Sequence, residues 1–412
     1  MSKIHIIGGG LAGLAAAVAA VQAGHTVQVY EAGPAAGGRC RSYFDRELDC
    51  RIDNGNHLIL SGNHATLAYI DAIGARPTLR PSGGARFPFM DVTTGATWTI
   101  APGPGRIPWW VMQPSRRVPD TKLTDYLSVL ALRKAGFQAT VAELLDDHGP
   151  LYARLLEPLA VAALNTPPSA ALARLLSAVV DETLLAGGHA CVPIFPRDGL
   201  SETLIDPAIA FLRSRGSDLQ TSCLVANLHR DGNRVTGLVT TTGDVAFAPT
   251  DQAILATPPW ITAGLLPDLP VPTEFQAILN VHFLLKLDPG PIGFVGLIGG
   301  MAEWVFVKSN VVSVTISAAN RYVDLSASEI AARTWPNVQA ALNIPAQTPM
   351  PKYRVVKERR ATFAATATQE PLRPTTRTNL ANLTLAGDWT ATGLPATIEG
   401  AIRSGRSAAA AL

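Results

Sequence analysis

Three glycines and one acid set out the first chemistry in this chain. Gly8-x-Gly10-x-x-Gly13 follows an apolar, strand-like run at residues 3–7 and precedes an Ala/Val/Leu-rich stretch that reaches Ala23. A glycine at 8 permits a tight strand-to-helix turn. One at 10 lets the main chain approach a pyrophosphate, and one at 13 lets the helix pack close to the strand. Leu11 and Ala12 open that helix, whose free N–H groups and dipole favour phosphate. Glu31 ends the next apolar run, 18 residues after Gly13, where an acid takes ribose hydroxyls, with Ala32 beside it.

Two further clusters point to the same ligand. Gly37-Gly38-Arg39 and Arg41 follow Glu31 closely, so the arginines can meet phosphate charge while the glycines keep the loop near it. At the other end of the chain stand Gly387-Asp388-Trp389 and Pro395-Ala396-Thr397-Ile398, the latter opening a helix predicted over 396–411. A helix N-terminus there favours negative charge on whatever it faces. Two complementary halves at opposite ends suggest one flavin, held by a domain that the chain leaves and re-enters.

The side chains able to move protons are few. His57 lies in Asp53-Asn54-Gly55-Asn56-His57 and titrates near working pH, which suits a general acid; a structural histidine bonded to phosphate or backbone is the alternative. Asn280 and His282 alternate on one face of a strand predicted over 278–287. Asp53 is a third acid candidate, with a structural turn role favoured. No Ser-His-Asp set or metal cluster emerges from the remaining histidines.

These elements need a scaffold. Residues 1–85 read as β-α-β plus ligand loops, and 121–186 as helical, with Leu123, Leu127, Leu130, Leu144, Leu145, Leu155, Leu156, Leu159 and Leu164 largely at i+3/i+4 spacings. Residues 223–241 form a hairpin turning at Asp231-Gly232-Asn233, and 275–317 contain several strands. Residues 326–343 read as helix and 351–387 as strand and loop. The fold class is α/β: a dinucleotide-binding unit from 1–85, 197–268 and 350–412, interleaved with a mixed-sheet and helical substrate unit from 86–196 and 269–349.

The combination resembles the glutathione-reductase-type FAD fold in its amine oxidase and phytoene desaturase branch. More specifically, Leu385 to Gly405, Asp53 to Leu60, Leu156 to Pro167 and Leu255 to Trp260 resemble the hydroxysqualene dehydroxylases, and the resemblance covers essentially the whole chain. Two departures are Asn56, where the family carries Gln, and Ala160, in a stretch where it carries Cys. The resemblance implies FAD as cofactor. Gly38 and Arg39 would lie along the pyrophosphate, Gly55 to His57 near the isoalloxazine and Val225 against adenine. Gly387 and Asp388 would face the ribityl side, and the helix after Pro395 the N1–C2=O edge. Asn280 would stand where amine oxidases carry a flavin-contacting lysine. The implied reaction is reductive removal of an allylic hydroxyl from hydroxysqualene to give squalene, with a C30 isoprenoid substrate and an unnamed electron donor, NAD(P)H or a reductase. A carotenoid- or phytoene-type desaturase or isomerase is the nearer alternative, and a non-catalytic prenyl-lipid-binding flavoprotein the more distant one.

Composition agrees with an apolar ligand. Hydrophobic residues make up 47% and charged ones 16%, while a net charge of +2 argues against a nucleic-acid partner. Cys40, Cys50, Cys191 and Cys223 are scattered and read as reduced cytosolic thiols. The first strand begins at residue 3 and no run of 18 apolar residues exists, so neither a signal peptide nor a spanning helix is expected. Trp109 and Trp110 lie among Arg106, Arg116 and Arg117, which suits a loop at a lipid interface; closure of the substrate-unit core is the alternative. The expected location is the cytoplasm, with peripheral contact at the inner face of the membrane.

Overall fold

In the computed structural model, which describes residues 2–145 and 149–412, the apolar run Lys3–Ile7 forms the middle of a five-stranded parallel sheet. Its order is Asp218–Gln220, Thr26–Tyr30, Lys3–Ile7, Gln252–Leu255 and Leu383–Leu385. Strands buried on both faces read as near-continuous apolar runs, which is why Val27, Val29, Ile254 and Leu385 leave so clear a trace in the sequence. The first helix, Leu11–Gln22, is almost wholly buried because the last helix, Ile398–Ala410, lies directly on it.

That helix pair depends on small residues. A Cβ on Gly405 would run into the Ala12 carbonyl oxygen and come within 2.8 Å of Ala16 N. A Cβ on Gly13 would collide with the Gly8 carbonyl on the other side of the same helix. Glycine at both positions therefore lets the helix sit tightly between the first strand and the chain's C-terminal end.

The second unit is a seven-stranded mixed sheet in the order Tyr353–Phe363, Phe275–Leu284, Val311–Ile316, Trp304–Val307, Phe294–Ile298, Phe87–Asp91 and Thr97–Ile100. The strand Tyr353–Phe363 falls within the range the sequence assigns to the nucleotide unit, yet it pairs with Phe275–Leu284 over eight registered pairs. Its half-buried, charge-rich pattern looks like an edge, and pairing partners at that separation leave no local signal. One sheet face, with Leu279, Val281, Phe283, Val305, Val312, Val314 and Ile316, packs under the helix Ala327–Ala341. The other face turns toward the nucleotide unit and the helical segment.

The hairpin is present as Val225–Asp231 and Arg234–Thr240. The helical stretch is more broken than its leucine spacing suggests: 3-10 turns over Leu123–Lys134, then short helices Val141–Leu145, Glu157–Leu164 and Ala173–Glu182. Pro158 starts one helix, and Asn165 ends it in the left-handed region at φ 47°. Asn165 then ties that end to the sheet, accepting from Ala318 N at 2.7 Å and donating to Thr362 at 2.9 Å. All four cysteines are free.

Gly405→Val should cost about 2–3 kcal/mol by overpacking the helix crossing. Thermal unfolding followed by circular dichroism checks this; an unchanged midpoint would mean the two helices can separate without penalty.

Candidate flavin site and its chamber

The nucleotide cradle forms at the head of the first helix. Gly8 adopts φ +109° with the Ala256 main chain against it, so a side chain there meets both strain and collision. Gly10 differs: nothing lies within 4 Å of where its Cβ would stand, and the helix it caps has no side-chain cap. Open space above uncapped N–H groups fits a pyrophosphate. Glu31 accepts from Gly9 N at 2.8 Å and Gly33 N at 2.7 Å, which sets its carboxylate at the rim with Ala32 exposed beside it. The segment leading to Val225 is laid alongside, because Ser222 N donates to Gly33 O and Cys223 N to Glu31 O.

The two sequence halves meet through a charge pair. Arg39 donates to Asp388 Oδ1 at 2.7 Å and also to the Ala361 carbonyl. Arg39 and Asp388 thus stand together at the junction of the two halves, while Arg41 is exposed and bonds Gly38 O at 3.4 Å. Glycine spacing predicts approach to a ligand but not which distant carboxylate will claim the arginine.

The C-terminal loop is shaped by a residue that sequence reasoning missed. Arg373, buried, gathers the carbonyls of Thr390 (2.5 Å) and Leu394 (2.8 Å) and pairs with Glu370. No motif marks it; a buried arginine on clustered carbonyls is visible only in three dimensions. Its charge lies behind the turn that delivers Pro395, Ala396, Thr397 and Ile398. Thr397 caps the last helix through Gly400 N at 3.0 Å, leaving the first turn facing the cradle side. Glu399 serves a different helix: it accepts from Ala65 N, Thr66 N and Thr66 Oγ1 at the start of His64–Ala72, and is held by Arg403 at 2.9 Å.

The loop Asp53–His57 is fastened to the seven-stranded sheet. Asp53 is locked by Lys308, Ser42 (2.5 Å) and Leu200 N (2.9 Å), and the Lys308 charge and those bonds outweigh burial to hold its carboxyl below the usual range. Both carboxylate oxygens of Asp53 are thereby occupied. Gly55 accommodates Asn280, whose Nδ2 would be 3.1 Å from a Cβ there.

A polar relay follows. Asn280 donates to Asn54 O at 3.5 Å, accepts from Thr315 Oγ1 at 2.9 Å, and Thr315 accepts from Asn56 Nδ2 at 3.0 Å. Because the relay is anchored on a main-chain carbonyl, it orients both amides. Asn56 Oδ1 is left as a buried acceptor without a protein donor. Thr315 is the member that sequence reasoning missed, since a threonine in a strand carries no signal of its own.

His57 makes no hydrogen bond among the described residues, and desolvation pushes its imidazole down to about 4. His282 is fully buried and bonded through Nδ1 to Ser313 at 2.7 Å, and burial pushes it down to about 3. Glu303 moves the other way. Burial raises its carboxyl to about 7, although Ser317 N donates to it at 2.7 Å and Arg321 lies 4.0 Å away. Its main-chain N–H bonds the Thr315 carbonyl, one residue before Trp304.

Cross-strand partners share a face, and the face toward the loop changes character along its rungs. One rung runs Asn280, Thr315, Trp304, Gly296, Phe89, Trp98; the next runs His282, Ser313, Phe306, Phe294. Gly296 is small because the Phe89 and Trp304 rings cover it. Phe195, Phe294 and Phe306 cluster with Leu58, which follows His57 directly. A polar edge beside Gly55–His57 thus passes into an aromatic wall closed by the helical segment.

The tryptophan pair is divided. Trp110 is buried and stacks edge-on with Tyr126 at 5.7 Å, as core closure requires, whereas Trp109 is 67% exposed.

Comparison with known proteins places this geometry. Residues 11–285 and 299–412 match the family model of flavin containing amine oxidoreductases. The hydroxysqualene dehydroxylase of Rhodopseudomonas palustris is 47% identical over 99% of this chain and 98% of its own length; that of Zymomonas mobilis is 43% identical over 99% and 98%. Cyclohexylamine oxidase from Brevibacterium oxydans superposes with a TM-score of 0.71 at 14% identity, over all of this chain and 98% of that one, a likeness of fold alone. With a cradle for the nucleotide, a C-terminal half locked to it by Arg39 and Asp388, and near-full-length identity to these relatives, the chain belongs to the flavin-containing amine oxidoreductases, among the hydroxysqualene dehydroxylases, and is a flavin-dependent oxidoreductase.

Proposed function

We propose that this protein uses FAD to remove the hydroxyl of a hydroxysqualene-like C30 isoprenoid reductively, giving squalene. The observation that carries the reading is the junction at Gly55–Leu58, where a relay ending in an unpartnered acceptor gives way to a wall of Phe and Trp rings. Alongside it stands the near-full-length identity to dehydroxylases. A long hydrocarbon bearing one hydroxyl matches that division. The flavin, when bound, supplies the hydride.

The chain's own residues do the rest. Asn56 Oδ1, fixed by Thr315 and Asn280, accepts the substrate O–H and orients it. Loss of that hydroxyl as water needs one proton and leaves an allylic cation, which the faces of Phe and Trp rings stabilise. Burial holds the imidazoles of His57 and His282 below the ordinary histidine value. We assign that proton to His57, in the loop that borders the polar edge. Gly38, Arg39, Arg41, Glu31 and the first helix hold the nucleotide, Val225 borders the adenine, Gly387 and Asp388 face the ribityl side, and the last helix's N-terminus faces the flavin ring. NAD(P)H or a separate reductase restores the reduced cofactor.

The reading is tested by anaerobic single turnover. Dithionite-reduced holoenzyme mixed with hydroxysqualene should reoxidise its flavin and yield one squalene per flavin. Bleaching of oxidised enzyme by a prenyl hydrocarbon, without dehydroxylation, would move it to a desaturase. His57→Ala should retain flavin and cut the rate by roughly 100-fold or more. A variant that turns over normally would remove His57 from the acid role. Glu31→Ala is expected to weaken FAD retention, read by flavin fluorescence on dilution, without changing the product.

A further inference from the structure

Eleven large hydrophobic side chains are exposed among the described residues, and seven of them fall within one stretch of 31: Ile107, Trp109, Met112, Leu123, Leu127, Leu130 and Phe137. Single exposed hydrophobics are ordinary; a concentration of them marks a surface that something covers. Two neighbouring segments carry them. The turn Trp109–Met112 contacts the 3-10 segment Leu123–Lys134, joined by Trp110 against Tyr126 and by Val118 N donating to Tyr126 at 2.9 Å. Val129 and Leu132 point inward, whereas the three leucines point out, with Leu127 at 63% and Phe137 at 82% exposure.

The surface is built rather than frayed. Gly188 N donates to Gly103 O at 2.7 Å, and His189 Nδ1 pairs with Pro104 O at 2.7 Å. Gly187 sits so near the Gly105 carbonyl, 2.7 Å from where its Cβ would be, that no side chain fits. Arg116 and Arg117 brace the loop on the carbonyls of Ala101 and Val111. Between Gly103 and Arg116 lies a groove of about 460 Å³. Ile107 and Trp109 flank it, and buried Trp110 belongs both to its lining and to the apolar cluster holding Phe89 and Trp98.

Charge identifies the occupant. Residues 106–137 carry six basic and two acidic residues, a surplus of four, while the whole chain is only +2. Asp120 is taken by Arg154, and Asp125 turns back onto Lys122 N. Lysines are depleted in protein–protein interfaces, yet Lys122 and Lys134 fringe this patch with Arg106, while Arg133 is paired with Asp181. Apolar tips ringed by cations, with an indole at the rim, fit the headgroup–acyl boundary of an anionic bilayer. Among the described residues no helix is long and apolar enough to cross a membrane.

We infer that residues 106–137 dock this protein on an anionic lipid surface, and that the groove beside Ile107 and Trp109 admits a hydrocarbon chain from it toward the aromatic wall. The docking stands on the surface alone; the entry of substrate through the groove rests on the function proposed above.

Flotation of the holoprotein with vesicles tests the docking. Phosphatidylcholine vesicles containing phosphatidylglycerol should capture the wild type, and pure phosphatidylcholine should capture markedly less. Trp109→Glu and Leu127→Glu should each lower partitioning about tenfold or more while retaining flavin and thermal midpoint. Phe44→Glu, which removes a ring 57% exposed on the hairpin Ser42–Asp45 and Cys50–Asp53, should leave it unchanged. No capture of the wild type, or equal loss in Phe44→Glu, would overturn the docking. So would a dimer in sedimentation that Leu127→Glu dissociates without any vesicle binding, which would give the patch to a second copy. Turnover separates the two readings. Trp109→Glu should slow hydroxysqualene supplied in vesicles and spare it in detergent. Vesicle capture without any turnover in either medium would sink the proposed function and leave docking intact.

Discussion

Everything in this molecule hangs on the crossing of its first and last helices. Gly405 lies against the main chain of Leu11–Gln22 so closely that no side chain fits. Through that contact the C-terminal turn arrives beside the N-terminal cradle. The Arg39–Asp388 pair then fixes the approach, with Asp388 almost wholly out of solvent. Arg39 stays 43% exposed, so the pair adds little net stability, and its geometry selects one arrangement of the two halves. Arg373 beneath the C-terminal turn and Glu399 at a neighbouring helix start extend the same logic, each satisfying several buried groups at once.

The second unit presents a graded surface to that cradle. On two adjacent rungs of one sheet, polar side chains near the Asp53–His57 loop give way to aromatic ones further out. Such a gradient asks for a ligand that is polar at one point and hydrocarbon elsewhere. The same environment works against histidine as a cation, because low polarity penalises charge. His57 and His282 are both lowered for that reason.

Legibility in the sequence followed the range of the interaction. Gly8, Gly10, Gly13 and Glu31 were readable because strand, turn, helix and acid follow one another within a few tens of residues. The hairpin at Asp231–Asn233 was readable for the same reason. The strand Tyr353–Phe363 was not, because its place in the large sheet depends on partners far away in the chain. Nor was Thr315, whose importance lies in standing between Asn56 and Asn280. The tryptophan pair shows the boundary well: adjacent identical residues in an identical context, one buried on Tyr126 and the other in solvent.

By itself, then, the sequence determined the local chemistry: a nucleotide cradle, a second half to close it, an apolar chain with few ionisable side chains, and a signature shared with the dehydroxylases. Only the tertiary structure decided which groups pair and which stay open. It paired Arg39 with Asp388, Asp53 with Lys308 and Glu399 with another helix, and it left Asn56 Oδ1 without a donor among the described residues. The physical reason is that glycine spacing and hydrophobic period are properties of neighbours along the chain. Desolvation and charge pairing depend on what folding brings within a few ångströms, and residues hundreds of positions apart supply it.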